Sequence, residues 1–391
     1  MARSAPISIW KILLVAVFLA LASTNQVLSC YTSIFSFGDS LADTGNLLIL
    51  QAQEHKPYSR ISRVPYGETY FHRPTGRSSN GRLVIDFIAQ SLGLPFIPPF
   101  LQRNNSQPVQ QGLNFAVVGA TALDDSFLRE RGIFNPDSNN SLGIQFQWFK
   151  QVLPSLCDPS TNCRELLARS LVLAGEIGGN DFNHAFFEGK SFHDIRPLVP
   201  LVINAVTSTV QMLIEQGAVT LLVPGNLPIG CSAAYLTQFQ SPNKDDYDPE
   251  TGCLKWLNEF AQKFNDHLVK ELDGMRELYP HATIIYADYY NAAMRIYRSP
   301  SQYGFTNGAL TACCGGGGPY NYDRTAMCGD AGSRTCEDPS SYVSWDGIHL
   351  TEAAYRLIAE GLIRGPYAVP SIKHSCASLP QIPFADTRRR R

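Results

Sequence analysis

Residues 171–225 read "LVLAGEIGGNDFNHAFFEGKSFHDIRPLVPLVINAVTSTVQMLIEQGAVTLLVPG". The stretch opens on an apolar run of strand length, Leu171–Gly178, and closes on a second, Val219–Gly225. Between them Pro197–Gln216 is a long apolar segment that reads as a helix. A strand with one wet face would alternate apolar and polar residues. Two near-continuous apolar strands joined through a helix therefore imply a parallel sheet covered on both faces.

The same alternation extends outward. Ser33–Phe37 and Leu113–Val118 read as strands before this stretch, and "ATIIYAD" from Ala282 as one after it. Asn80 can cap a helix carrying Leu83, Val84, Phe87 and Ile88 at helical spacing, and "IQFQWFKQVL" from Ile144 reads as another helix. A helix beginning near Cys253 aligns Leu257, Phe260, Phe264, Leu268 and Leu272 on one stripe, and a last helix spans Thr351–Leu362. The expectation is one three-layer α/β domain over residues 30–391, with the apolar stripes as core. Functional groups in such folds gather at the carboxyl ends of the strands.

Residues 1–29 read as a secretory signal peptide. Arg3 and Lys11 supply positive charge, Ile12–Ala22 an apolar stretch, and Val27 and Ser29 small residues before Cys30. The apolar stretch is shorter than the ~20 residues of a spanning helix, and no later segment is expected to span. Without these residues the formal charge of −2 becomes −4. Such mild acidity argues against nucleic acid as the main partner, because phosphate binding needs a concentrated basic surface. The one basic run, Arg388–Arg391, reads as a solvated tail. All ten cysteines follow the leader, an even count that suggests disulfides in an oxidising compartment. Cys157–Cys163 and Cys231–Cys253 are plausible loops, while the full connectivity stays open. Asn104 and Asn139 stand in Asn-x-Ser sequons as candidate glycosylation sites.

Five stretches fall at strand exits or before a helix: Ser40; Gly119 in "NFAVVGATA"; Asn180 in "GEIGGNDFN"; "VPGNLPIGC"; and Asp346 with His349 in "WDGIHLTEAAY". A serine hydroxyl needs an adjacent base, and the base an orienting partner. Asp346 and His349 are three residues apart, so the carboxylate can hold Nδ1–H and leave Nε2 facing Ser40. The backbone N–H of Gly119 and the side-chain amide of Asn180 can serve as oxyanion donors. Taken singly, each reads as readily as a turn, a cap or a satisfied histidine. His184, with Asp181 nearby, competes as the base. Gly-x-Ser-x-Gly, the nucleophile-elbow motif, is absent, as are His-Glu-x-x-His, P-loop and dinucleotide-binding patterns. The aromatic stretches Tyr66–Phe71, Phe182–Phe187, Tyr286–Tyr290 and Tyr320–Tyr322 read either as pocket lining or as core.

Four blocks in order, "FGDSLADTGN", "NFAVVGATA", "GGND" and "DGIH", resemble those of the plant secreted GDSL esterases/lipases of the SGNH hydrolase superfamily; "VPGNLPIGC" and "CCGGGGPYN" also resemble that branch. The resemblance covers roughly residues 31–365. It implies a flavodoxin-like αβα sandwich that needs no metal or cofactor. Ser40 would be the nucleophile, His349 the base and Asp346 the third triad member; Ser40 N–H, Gly119 N–H and Asn180 would form the oxyanion hole. Val117-Val118 stand where many relatives carry smaller residues, which would narrow the acyl pocket. The expected protein is a secreted or vacuolar monomer that hydrolyses short-chain or aromatic acyl esters of small molecules. An acyltransferase, a lipase on longer acyl chains and a non-catalytic binding protein are the rivals.

Overall fold

The computed structural model describes residues 31–103, 111–157 and 162–377. The expected leader, Cys30, Asn104 and the basic tail lie outside them. Six strands form one sheet: β1 (Ser33–Gly38), β2 (Gly112–Asn114), β3 (Ser170–Glu176), β4 (Thr220–Pro224), β5 (Thr283–Ala287) and β6 (Ala368–Val369), in the order β2-β1-β3-β4-β5-β6. The first five run parallel and β6 pairs antiparallel to β5. The order 2-1-3-4-5 is that of the flavodoxin-like fold, whose direction of winding reverses between β1 and β3 and opens a crevice there.

The helices that position the site are α1 (Asn46–Gln53), α2 (Val84–Ser91), α3 (Leu142–Leu156), α4 (Gly179–Phe187), α5 (Leu198–Gln216), α6 (Lys255–Leu278), α7 (Tyr289–Arg298) and α8 (Glu352–Arg364). Alternate strand residues face opposite layers. Phe35, Val172, Leu221 and Ile284 pack with Phe149 of α3, Val206 of α5 and the Leu257–Leu272 stripe of α6. Ile34, Leu171, Leu222 and Ile285 pack with α2, α7 and α8. Each fully buried large apolar side chain contributes ~1.5–3 kcal/mol, so the two cores fix the sheet between its helical layers.

Four sequence expectations need correction. The regular second strand is only Gly112–Asn114; beyond it Phe115 N and Val117 N still donate to Ser36 O (2.7 Å) and Gly38 O (3.1 Å) of β1, while Asn114 Oδ1 accepts from Ala116 N at 2.9 Å and its Nδ2 donates to Thr44 Oγ1 at 3.1 Å. Asn80 does not cap α2. There Asp86 accepts from Leu83 N at 2.9 Å and forms a buried, two-pronged ion pair with Arg77 at 2.7 and 2.8 Å. Asn80 Oδ1 instead accepts from Glu352 N at 2.8 Å and caps α8. The helix after Thr351 is not the last, since a further short helix, Ile372–Ala377, follows β6. Finally, residues 192–216 are long and apolar enough, on length and composition alone, to cross a membrane. Here part of that apolar surface is core, with Val202, Val206, Val210 and Leu213 all buried under the sheet.

Eight cysteines form four bridges: Cys157–Cys163, Cys231–Cys253, Cys313–Cys336 and Cys314–Cys328. Asn139 is exposed on the loop before α3.

Candidate active site

The turn after β1 is built by close backbone approach and by carboxylates. Gly38 has φ +142°, and a Cβ there would stand 2.9 Å from the Glu176 carbonyl oxygen, so a side chain is excluded. Gln145 of α3 brackets Gly38, accepting from its N–H and donating to its carbonyl, each at 2.8 Å. Asp39 Oδ1 accepts from Leu41 N at 3.0 Å. Asp43 is the larger anchor: Oδ1 accepts from Gly45 N (2.7 Å) and Asn46 N (2.6 Å), and Oδ2 from Leu47 N (3.1 Å) and Val118 N (2.9 Å). One carboxylate thus starts α1 and ties the turn to the loop after β2. Ser40 stands inside this frame.

The loop before α8 is held differently. Ser344 and Trp345 offer carbonyls to Cys313 N (3.0 Å) and Cys314 N (2.7 Å), both disulfide cysteines. Asp346 Oδ1 accepts from His349 N at 2.8 Å, which folds the loop so that His349 Nδ1 reaches Asp346 Oδ2 at 2.7 Å. Tyr66 donates its hydroxyl to the same oxygen at 2.8 Å. With Nδ1–H directed at the carboxylate, Nε2 accepts the Ser40 hydroxyl at 2.8 Å. Burial alone would push Asp346 up, but the neighbouring His349 and the N–H bonds outweigh it and hold the carboxyl at about 2. Burial likewise opposes charge on His349, yet Asp346 outweighs it and raises the ring above the ordinary histidine value. The imidazole is therefore an apt proton acceptor whose charged form is already compensated.

Gly119 has φ +78°, and a Cβ there would stand 2.4 Å from the Asp137 Cβ. Among the described residues neither its N–H nor that of Ser40 has a hydrogen-bond partner. Asn180, in the first turn of α4, donates through Nδ2 to Ala120 O at 3.0 Å and to Asp39 Oδ2 at 3.3 Å. Asn183 donates to Asn180 Oδ1 at 3.2 Å, and the Tyr235 hydroxyl donates to Asn183 Oδ1. This chain fixes which way the Asn180 amide faces. Ser40, Gly119, Asn180, Asn226 and His349 all line one cavity of about 440 Å³. All five stretches singled out in the sequence thus reach one place, at the β1/β3 crevice.

His184 lines the same cavity, but Ser40 is bonded to His349. Burial pulls His184 below the ordinary histidine value, and Asp181 does not serve it: its carboxylate accepts from Ala122 N (2.8 Å) and Leu123 N (2.9 Å). The aromatic stretches divide. Phe187 and Tyr322 line the cavity, while Phe182 packs in the core against Phe260 and Phe264. Val118 lines the cavity and Val117 is buried in the core. Sequence reasoning missed Tyr66, Asn183, Tyr235, Tyr297 and Glu176. Tyr66 stood within the Tyr66–Phe71 aromatic stretch and Asn183 ended "GEIGGNDFN", but neither role was legible there; Glu176 left a trace as a charge closing an otherwise apolar strand. Among the described residues, no group of three or more His, Cys, Asp or Glu side chains is placed to hold a metal ion.

The family model for GDSL-like lipase/acylhydrolase matches residues 34–362. Two GDSL esterases/lipases of Arabidopsis thaliana are similar over nearly the whole chain. One is 51% identical, covering 94% of this chain and 95% of the relative; the other is 53% identical, covering 92% and 89%. A sinapine esterase of Brassica napus is 51% identical over 91% of both chains.

Proposed function

Since the chain belongs to the GDSL lipase/acylhydrolase family and is a carboxylic ester hydrolase, we propose that it works through an acyl-enzyme on Ser40. The observation that carries this is the continuous relay Ser40 Oγ–His349 Nε2 (2.8 Å) and His349 Nδ1–Asp346 Oδ2 (2.7 Å) at the wall of the cavity. Ser40 Oγ attacks the ester carbonyl as His349 takes its proton. The tetrahedral oxyanion is met by the N–H groups of Ser40 and Gly119 and by the Asn180 amide. His349 returns the proton to the leaving alcohol, and a water activated by the same ring then releases the acid and frees Ser40. Preorganised donors of this kind are worth ~3–4 kcal/mol each in the transition state.

The substrates are short-chain or aromatic acyl esters of small molecules. A 440 Å³ cavity walled by Phe187, Tyr235, Tyr297 and Tyr322 suits a compact or flat acyl group. The relative named as a sinapine esterase puts sinapine on the test panel beside acetyl, hydroxycinnamoyl and long-chain esters. The protein acts after secretion, outside the cell or in a compartment of the secretory pathway such as the vacuole. Four disulfides among the described residues and the sequon at exposed Asn139 fit that route. The deciding experiment is Ser40→Ala in a protein shown to be folded. Hydrolysis of a nitrophenyl ester should fall by ~10⁴-fold or more, and labelling by a fluorophosphonate should disappear. A folded variant as fast as the parent rules the mechanism out, and an excess of transfer product with an alcohol acceptor in water makes the enzyme an acyltransferase.

A further inference from the structure

A second carboxyl sits directly behind the nucleophile turn and has no part in the relay. Glu176 ends β3, is 7% exposed and lines the cavity. Its backbone carbonyl accepts from Asp39 N at 3.0 Å, and its side chain lies beside the carboxyl of Asp39, itself 4% exposed. Two ionised carboxylates cannot share such a contact out of water, so the pair holds one proton between them. Glu176 Oε2 is buried with no donor within reach. A proton lying between the two carboxyls accounts for that otherwise unpartnered oxygen.

Asp39 is also the residue that touches the oxyanion machinery, because its Oδ2 accepts from Asn180 Nδ2 at 3.3 Å. The other bond of that nitrogen, to Ala120 O, is shorter at 3.0 Å. We infer that Glu176 is a positioning residue for ester hydrolysis, its shared proton holding the Asp39 carboxylate where it orients the Asn180 amide. The inference rests on the acyl-enzyme reading above and adds Glu176 to it.

The groups facing the pair are Asp43 and His349 around Asp39, Asp181 of α4, Tyr289 of α7 and Tyr355 of α8. Of these His349 is the one that can carry positive charge. Burial, then Asp39, pushes Glu176 well above the usual carboxyl range, and burial pushes Asp39 up to about 6. The pair thus keeps its one proton at neutral pH. When that proton is lost at higher pH, two adjacent carboxylates repel and Asn180 loses its fixed acceptor.

The test compares the full-length parent with Glu176→Gln and Glu176→Ala, following kcat and KM on a nitrophenyl ester from pH 5 to 10. Gln keeps an N–H for Asp39 at every pH, whereas Ala offers none. The parent should lose kcat on an alkaline limb. Glu176→Ala should lower kcat ~10–100-fold with KM within about 3-fold, and Glu176→Gln should recover most of that loss and lack the limb. If Glu176→Ala fails to fold, the Gln variant decides alone. A parent profile flat to pH 10, or a Gln variant that keeps the parent's limb, overturns the positioning role. Fluorophosphonate labelling of Ser40 in the same samples separates the two ideas: labelled, active parent with indifferent Glu176 variants removes only this inference, whereas an unlabelled parent removes the mechanism beneath it.

Discussion

The two halves of the proposed catalytic contact are secured in opposite ways. The Ser40 turn is held mostly from within. Asp43 gathers three N–H groups from the next four residues and one from Val118, while Gly38 lets β1 and β3 close on each other. The His349 loop is held mostly from afar. Tyr66 lies 280 positions from Asp346 in the chain and Ser79 donates to Leu350 O across 271, while the Cys313-Cys314 segment supports Ser344 and Trp345. Their charges differ as well. Around Ser40 burial pushes carboxyls up, Asp39 and Asp43 to about 6 and Asp181 to about 7, whereas Asp346 is held at about 2 against its burial by His349. In the proposed mechanism the nucleophile can sit among carboxyls that hold backbone, but the base works only beside a carboxylate that stays ionised.

The comparison breaks most sharply at Asp43. Asp43→Ala leaves four N–H groups without their acceptor in a site where Asp43 is fully buried. Loss of a buried, multiply bonded carboxylate should cost ~3–5 kcal/mol. Urea unfolding measures this as a lowered midpoint at unchanged slope. A midpoint within error of the parent's would mean that the turn does not depend on its local anchor.

A change of pH separates the two sets of carboxyls without any substitution. For Asp39, Asp43 and Asp181 the folded value lies above the unfolded one, so their contribution is fully present below about pH 4 and is lost as pH rises through 6 to 7. His349, also raised, acts in the same sense: its contribution is present below ~6.5 and is lost as pH rises through its folded value. Asp346 has the opposite sign, stabilising above ~4 and losing its contribution as pH falls toward 2. Thermal unfolding should therefore be several degrees higher at pH 5 than at pH 8, and fall again below pH 4. Asp43→Asn, which cannot ionise, should flatten the slope between pH 5 and 8. A stability that rises from pH 5 to 8 contradicts the assignment.

The same contrast explains what could be read in the sequence. The sheet was legible because Leu171–Ala174 and Thr220–Val223 are buried on both faces and so carry uninterrupted apolar runs. The contact among Ser40, Asp346 and His349 was legible because their residue types and spacing suit the proposed relay. The role of Asn80 was misread because a cap is a local signal, and here Asn80 caps a helix that starts 272 positions later. Tyr66 was visible only as one of an aromatic stretch, since a hydroxyl that serves a carboxylate across the fold looks like any aromatic in a turn-rich segment. Glu176 interrupts an apolar strand, which was visible, but its partner Asp39 is known only once β1 and β3 lie side by side.

Tyr66 is the smallest and most selective way to sharpen the contrast. It is 4% exposed, packs edge-on to Trp345 with ring centroids 5.9 Å apart, and gives its hydroxyl to the Asp346 oxygen that also receives His349 Nδ1. Tyr66→Phe keeps the ring packing and removes one donor to a charged acceptor, which should cost ~1.5–3 kcal/mol at most. With one donor fewer, Asp346 Oδ2 carries more charge toward the imidazole, so protonated His349 is favoured further. Since the ring must be neutral to accept the Ser40 proton, the acid limb of kcat/KM should move to higher pH, and kcat on its plateau should fall ~3–10-fold as the loop loses a long-range tie. A matched Phe71→Leu variant, outside the relay, should leave the limb in place. An unmoved limb in Tyr66→Phe would show that the Asp346–His349 pair is set by its own loop, and that the histidine side is as locally determined as the serine side.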